Sequence, residues 1–240
     1  MKAFLLAGGL GTRLKPLTET TPKCLLPVRS TPMLKIWFEL CRQHGINEVL
    51  VNVHAHGPAV RTFIEENKDG LRVRLFEEPE LLGSAGTILA NRDWVGKENA
   101  FWVLYADVLT TTNLHQMLAF HESRAQIATI GVYRVPNPSQ CGIVQVDERG
   151  VVCSFIEKPR IPAGNLAFSG LMLATPALLD AIPDSSPVDL GLHVLPLLAG
   201  RMAAYRIQDF LMDIGTLETY RTAQKTWPGL SQASQSESHA

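Results

Sequence analysis

The chain has 240 residues, of which 46% are hydrophobic and 19% charged, and its formal net charge is -1 at pH 7. This length and apolar content can bury a large core, while the near-zero charge argues against general binding to nucleic acid or to a membrane surface. No apolar run reaches the roughly 18 residues that span a membrane, and Met1 leads into a strand without a cleavage signal, so we expect a soluble, unexported protein. The four cysteines are scattered, which favours reduced thiols in the cytoplasm over a zinc site or a disulfide framework.

Apolar runs alternate with amphipathic segments through the first half of the chain. The predicted strands cover residues 2–7, 48–53, 71–76, 100–106 and 127–133. The predicted helices between them cover residues 31–45, 58–66, 82–91 and 113–123, the last capped by Asn113. This alternation predicts an α/β fold with a doubly wound, mostly parallel, Rossmann-like sheet.

The second half of the chain is richer in short strands and turns. Residues 142–147 and 151–157 predict a hairpin, which is followed by a strand over 167–174. We expect these strands to form a small β-rich insertion. Helices are predicted over 175–181, 187–198 and 216–225, and strands over 203–207 and around Met212.

The chain contains no convincing linker or internal repeat, so residues 1–228 are predicted to form one domain. From residue 229 onward Ser, Gln, Glu and His dominate, and residues 229–240 are predicted to be a disordered tail.

The first predicted strand ends in a glycine-rich loop that contains Gly8, Gly9 and Gly11. Glycines let main-chain N–H groups converge on phosphate oxygens, and Arg13 and Lys23 add the positive charge that a triphosphate requires. The loop therefore predicts a nucleotide-binding site.

Two better-known glycine motifs do not fit this loop. A P-loop requires Lys-Ser or Lys-Thr after its last glycine, but Thr12 follows Gly11. A dinucleotide fingerprint requires a third glycine where this chain has Leu14.

Two aspartates follow short apolar runs that lead to the predicted sheet edge. Asp107 follows the run 101–106, and Asp213 precedes Ile214 and Gly215. Each alone is equally typical of a turn or a helix cap, but together with a bound triphosphate they predict a Mg²⁺ site, because Mg²⁺ prefers one or two carboxylates plus phosphates. Lys158, which stands before a proline at a strand end, is a candidate phosphate-binding cation or a surface ion-pair lysine.

Other polar residues are predicted to have no chemical role. The charged run 77–80 predicts a solvated turn, and His54 and His56 predict ordinary loop positions because no third ligand stands at metal spacing. Cys24 lies in the loop, but the sequence ties no histidine to it as a base.

The motifs, taken together, resemble the signature of the sugar-1-phosphate nucleotidylyltransferases. The resemblance covers nearly all of residues 1–226, and its motifs stand in the family's order: 6–14, 16–18, 22–28, 82–87, the Asp107 strand end, 157–159 and 213–216.

The resemblance implies that a sugar 1-phosphate attacks the α-phosphorus of a nucleoside triphosphate, and that pyrophosphate is released. The implied nucleotide-binding residues are Leu6, Ala7, Gly8, Gly9, Gly11, Thr12, Arg13, Lys23, Gly83 and Ser84. The implied contacts to the sugar phosphate are Gly142, Glu157, Lys158 and Ser169, and the implied Mg²⁺ ligands are Asp107 and Asp213. The implied catalytic residues are Arg13, Lys23, Asp107 and Lys158.

Two positions depart from the family pattern, since Ala106 stands where a glycine is usual and 168–170 reads Phe-Ser-Gly instead of Asn-x-Gly. The segments 82–87 and 142–147 favour the mannose- and heptose-1-phosphate guanylyltransferase branch, and hence GTP and a role in cell-surface polysaccharide biosynthesis. Phe-Ser-Gly leaves a uridylyltransferase acting on N-acetylmuramate 1-phosphate or a glucose-type sugar 1-phosphate as an alternative.

A nucleotide-sugar sensor or regulatory subunit without activity is the alternative of another class. The presence of all five implied charged residues, which are Arg13, Lys23, Asp107, Lys158 and Asp213, favours the enzyme. A monomer or small homo-oligomer is expected.

Overall fold

The structure is a computed structural model that describes residues 1–230. Its strands are β1 (Lys2–Leu6), β2 (Pro27–Val28), β3 (Thr31–Pro32), β4 (Glu48–Val53), β5 (Arg72–Glu77), β6 (Phe101–Tyr105), β7 (Val108–Thr110), β8 (Ala128–Arg134), β9 (Gly142–Val146), β10 (Val152–Glu157), β11 (Leu166–Ala174), β12 (Met202–Arg206) and β13 (Leu211–Asp213). Its α-helices are α1 (Leu17–Thr20), α2 (Met33–Gln43), α3 (Gly57–Asn67), α4 (Ser84–Ala90), α5 (Arg92–Val95), α6 (Leu114–Glu122) and α7 (Leu217–Thr226).

One large sheet organises the molecule, with the strand order β10-β9-β11-β6-β1-β4-β5 and with β8 joined to β11 and β12 to β8. Strands β6, β1, β4 and β5 are parallel, which confirms the prediction for the first half of the chain. Strands β9, β10 and β11 extend the same sheet in antiparallel pairs. The chain places β4 on one side of β1 and β6 on the other, so the carboxyl end of β1 is a topological switch point where α/β sheets bind ligands.

Side chains alternate between two buried layers along each central strand. In β1, Leu5 enters a cluster with Trp37 of α2, whereas Phe4 enters a second cluster with Ile88 of α4. Helices α2, α3 and α6 cover the first face, and α4 with the segment 188–198 covers the second. Helical layers on both faces confirm the doubly wound architecture.

Most predicted elements are present within a residue or two of their predicted bounds, and the predicted cap is confirmed: Asn113 Oδ1 accepts from Gln116 N at 3.1 Å. The short strands β2, β3 and β7 were not predicted.

The predicted α-helix over 187–198 is wrong. The backbone is extended at Asp189 and then forms a π-helical turn (Leu190–Val194) and a 3-10 turn (Leu195–Leu198). The backbone of Val188 is bonded to Leu82 and to the start of α4, and Pro196 has no N–H to donate, so a continuous α-helix cannot form. Residues 176–181 likewise form a 3-10 helix.

Of residues 1–230, no helix is both long and apolar enough to cross a membrane. The four cysteines are free thiols. Leu230 packs against the core, and the rest of the predicted tail, residues 231–240, lies outside the described residues.

Candidate active site

The glycine-rich loop leaves β1 at the switch point and is held there by Asn52 of β4. Asn52 Oδ1 accepts from Ala7 N at 2.8 Å. A Cβ on Gly8 would lie 2.7 Å from Asn52 Nδ2, whereas nothing lies within 4 Å of a Cβ on Gly9. Gly8 therefore allows the backbone to lie on Asn52, and Gly9 faces open space where a nucleotide could approach.

A buried hydrogen-bond network holds Asn52, and through it the glycine-rich loop, in place. Glu78 is only 2% exposed, and its Oε1 accepts from Asn52 Nδ2 at 2.9 Å and from Thr87 Oγ1 at 2.5 Å. The prediction of a solvated turn over 77–80 is wrong at Glu78. Sequence reasoning missed this network, although Asn52 inside an apolar strand was a visible signal.

The loop then folds back on itself and brings Lys23 towards the sheet edge. Gly11 has φ +62°, a left-handed conformation that favours glycine, and its carbonyl accepts from Thr18 Oγ1 at 2.8 Å. A Cβ on Gly11 would lie 2.9 Å from Thr18 Cγ2 and 3.3 Å from Lys23 Cβ. Gly11 therefore sets the close packing of the loop.

Lys23 and Asp107 form an ion pair across the site, with Nζ 2.6 Å from Oδ2. Asp107 is joined to Asp213 by the unpredicted strand β7, since Asp213 pairs with Val108 in the β7–β13 ladder and Ile214 N donates to Asp107 O at 2.8 Å. The two aspartates, which lie far apart in sequence, are therefore neighbours.

Arg13 lies near the Asp213 carboxylate. Gly215 stands two residues after Asp213, and a Cβ there would overlap Asp213 Oδ1 and come within 3.0 Å of Arg13 Nη2. Burial and then the Asp107 carboxylate raise the pKa of Asp213, while Lys23, Arg13 and the Gly215 amide oppose the rise. The structure thus brings four predicted residues together: Arg13, Lys23, Asp107 and Asp213.

This pair of carboxylates fits a divalent cation. Burial and the nearby Asp107 carboxylate raise the pKa of Asp213, and oxygen donors are the ligands that Mg²⁺ prefers. Across residues 1–230 no group of three or more His, Cys, Asp or Glu is placed to hold a metal. A cation here would therefore complete its coordination with substrate phosphates and water.

Glu157 and Lys158, which are predicted to contact the sugar phosphate, lie at the end of β10. Lys158 Nζ is 3.4 Å from Glu157 Oε1, and the Lys158 side chain is 63% exposed. A Cβ on Gly142 or on Gly191 would lie 2.7 Å from Glu157 Oε2. Both glycines therefore make room for this carboxylate.

The turn Gly83-Ser84 is locked onto the segment that follows Pro187. Ser84 Oγ donates to Asp189 Oδ2 at 2.8 Å and accepts from Leu190 N at 2.7 Å. A Cβ on Gly83 would overlap Val188 O, which accepts from the first amides of α4. Sequence reasoning missed Asp189, because nothing near it resembles a motif.

Ser169 of β11 and Cys24 are engaged within the protein interior. Ser169 is 3% exposed and its Oγ accepts from Leu171 N at 3.2 Å. The structure therefore gives no support to the predicted contact between Ser169 and a sugar. Burial raises the pKa of the Cys24 thiol to about 12, which makes it a core residue and not a nucleophile.

Comparison with known proteins gives a consistent result. A sequence model described as "Nucleotidyl transferase" matches residues 2–228. The chain is 34% identical over 234 residues to mannose-1-phosphate guanylyltransferase 1 of Arabidopsis thaliana, covering 95% of this chain and 64% of that protein. It is 33% identical over 228 residues to the mannose-1-phosphate guanylyltransferase catalytic subunit beta of Xenopus tropicalis, covering 92% of this chain and 63% of that protein. The chain therefore spans less than two thirds of these curated relatives.

The fold matches solved structures as well. The crystal structure of HddC from Yersinia pseudotuberculosis complexed with GMP-PN aligns with a TM-score of 0.79 and 22% sequence identity, covering 94% of this chain and 99% of that one. At this identity the likeness concerns the fold.

Proposed function

Because the chain belongs to the nucleotidyl transferase family, we propose that it transfers a nucleoside monophosphate from a nucleoside triphosphate to a sugar 1-phosphate. GTP is the favoured nucleotide and a mannose- or heptose-type sugar the favoured acceptor, since the similar curated proteins are named mannose-1-phosphate guanylyltransferases. The products are a nucleotide sugar and pyrophosphate.

The observation that carries this proposal is the meeting of two cations and two carboxylates at the switch point. Lys23 pairs with Asp107 at 2.6 Å, and Arg13 and Asp213 lie beside Gly215. A triphosphate whose α-phosphorus faces this group has positive charge beside its phosphates and carboxylates ready for a cation.

In the proposed reaction, a phosphate oxygen of the sugar 1-phosphate forms a bond to the α-phosphorus. The bond from the α-phosphorus to the bridging oxygen of the β-phosphate breaks, and that oxygen leaves with the electron pair as pyrophosphate. This displacement requires alignment and charge stabilisation, not a covalent enzyme intermediate.

Each charged side chain then has a distinct task. Arg13 holds the leaving pyrophosphate, and Lys23 turns from Asp107 to the α-phosphate region. Lys158 is exposed enough to reach the incoming sugar phosphate. Glu157 accepts hydrogen bonds from the sugar.

Asp107 and Asp213 would hold Mg²⁺. The bound ion supplies positive charge that offsets the phosphates' negative charge. Because burial and Asp107 raise the pKa of Asp213, a proton and the cation compete for the same carboxylate.

The test is a screen for pyrophosphate release that combines four nucleoside triphosphates with a panel of sugar 1-phosphates. GTP with mannose 1-phosphate or a heptose 1-phosphate is expected to give the highest rate. A preference for UTP with N-acetylmuramate 1-phosphate or glucose 1-phosphate would replace the guanylyltransferase by the uridylyltransferase. If no combination releases pyrophosphate although a nucleotide sugar binds, the protein is a regulatory subunit.

A further inference from the structure

Two carboxylates approach the same space on the sugar side of the site. A Cβ on Gly191 would lie 2.7 Å from Glu157 Oε2 and 3.3 Å from Asp189 Oδ1. Burial raises the pKa of Glu157 and Asp189 adds to the rise, while Lys158 opposes it. Asp189 is therefore close enough to Glu157 to affect its pKa.

Asp189 is fixed in place by uncharged donors. Its Oδ2 accepts from Ser84 Oγ at 2.8 Å and its Oδ1 from Leu192 N at 3.1 Å. Each carboxylate oxygen has a further lone pair that a substrate hydroxyl can use, and Asp189 is half-buried.

Lys158 lies beside one of these carboxylates, with Nζ 3.4 Å from Glu157 Oε1. In the proposed reaction it turns to the phosphate of the sugar substrate. The rest of the sugar then faces two carboxylates, which attract hydroxyl donors and repel another anion.

We propose that Asp189 is a specificity-determining residue, and that the site accepts sugar 1-phosphates with uncharged ring substituents and rejects those that carry a carboxylate. This inference rests on the proposed function. Rejection by a repulsive charge is a general way to obtain specificity. This specificity favours mannose- or heptose-type substrates over N-acetylmuramate 1-phosphate, whose lactyl group carries a carboxylate.

The test compares glucose 1-phosphate with glucuronic acid 1-phosphate, and mannose 1-phosphate with mannuronic acid 1-phosphate, because each pair differs only by oxidation at C6. With the nucleotide that the protein uses best, kcat/KM is expected to favour the neutral member at least about tenfold. Asp189→Asn keeps the size and one acceptor oxygen, which can serve Ser84 or Leu192 but not both. It removes the charge, so it is expected to reduce this preference by about tenfold.

A matched control separates the charge of Asp189 from charge elsewhere in the segment. Asp184→Asn removes an exposed carboxylate from the same segment. This variant is expected to retain the wild-type preference between neutral and acidic sugars. A wild type that uses both members equally, or an Asp189→Asn variant with an unchanged preference, would overturn the proposal.

Failure of the proposed function gives a different result. If no sugar 1-phosphate releases pyrophosphate, the transfer reaction is refuted, and calorimetric binding of glucose 1-phosphate and glucuronic acid 1-phosphate still tests the inference. Tighter binding of the neutral sugar, with a smaller difference in Asp189→Asn, would support the role of Asp189, and equal binding of both sugars would contradict it.

Discussion

The Lys23–Asp107 ion pair lies where three kinds of ligand would meet: the α-phosphate region, the cation and the incoming sugar phosphate. Its 2.6 Å separation and the 13% exposure of the Lys23 side chain indicate a partly desolvated contact, where charge interactions are stronger than in water. In the proposed reaction, Asp107 would hold Lys23 in place and would also bind the cation.

Asp107→Asn is expected to reduce pyrophosphate release at least about a hundredfold, because it removes a negative charge that positions both Lys23 and the cation. Thermal unfolding and circular dichroism should stay close to wild type, since the side chain is at the sheet edge. Asp209→Asn, which changes an exposed carboxylate near β13, is the control. Full activity of Asp107→Asn would contradict the assignment of the metal site.

The close packing of glycines around Glu157 gives a second prediction about single residues. Gly191→Ala would place a Cβ 2.7 Å from Glu157 Oε2, so the carboxylate must shift. KM for the sugar 1-phosphate is expected to rise about tenfold or more, with a smaller change in KM for the nucleotide. Gly164→Ala adds a Cβ with nothing within 4 Å, and equal kinetics for the two variants would refute the argument.

At the scale of elements, helix α7 connects β2 to the strand that carries Asp213. Thr216 caps the helix, since its Oγ1 accepts from Thr219 N at 3.1 Å and Thr219 Oγ1 accepts from Thr216 N at 3.2 Å. Tyr220 Oη, one turn further along, donates to Pro27 O of β2 at 2.7 Å. The start of α7 therefore affects stability and the packing of α7 on β2.

Thr216→Ala is expected to lower the free energy of unfolding by about 1 kcal/mol, the usual cost of a lost N-cap. Thr216→Ser keeps the hydroxyl and should recover most of the loss, apart from packing of the methyl group. Chemical denaturation of both variants measures the difference. If the serine variant is as unstable as the alanine variant, the hydroxyl is not the source of the stability.

The whole molecule shows which features a sequence can reveal. The strand predicted over 48–53 is found as Glu48–Val53. The prediction succeeds because an apolar run of that length favours a buried strand whatever its neighbours are. The charged neighbours of Glu78 predict that it is exposed to solvent. It is buried instead, because its hydrogen-bond partners Asn52 and Thr87 come from other elements. Local patterns hold no information about such partners.

The candidate site shows the same limit. Arg13, Lys23 and both aspartates were predicted from motifs, and the structure brings them together. Asp189 was not predicted, because its position depends on contacts made by the neighbouring backbone. The backbone of Val188 forms hydrogen bonds with the start of α4, and these prevent the helix that the sequence pattern suggests.

Stability of the whole molecule should depend on pH through two histidines in the helical layer on one face of the sheet. Burial lowers the pKa of His121, opposed by Glu122, and burial also lowers the pKa of His44, opposed by the Leu40 carbonyl and assisted by His115. Because their pKa is lower in the folded protein, protons bind more readily to the unfolded chain below about pH 6.5.

The free energy of unfolding is therefore expected to be flat above about pH 7 and to fall as the pH drops through 6.5 towards the folded pKa values. Each unit of difference between folded and unfolded pKa adds about 1.4 kcal/mol to the total loss. His121→Gln cannot titrate, so its curve should fall less steeply than the wild-type curve, while its stability at pH 8 reports only the lost contact with Thr129. Parallel curves for the two proteins from pH 8 to pH 5.5 would show that protonation of His121 is not coupled to unfolding.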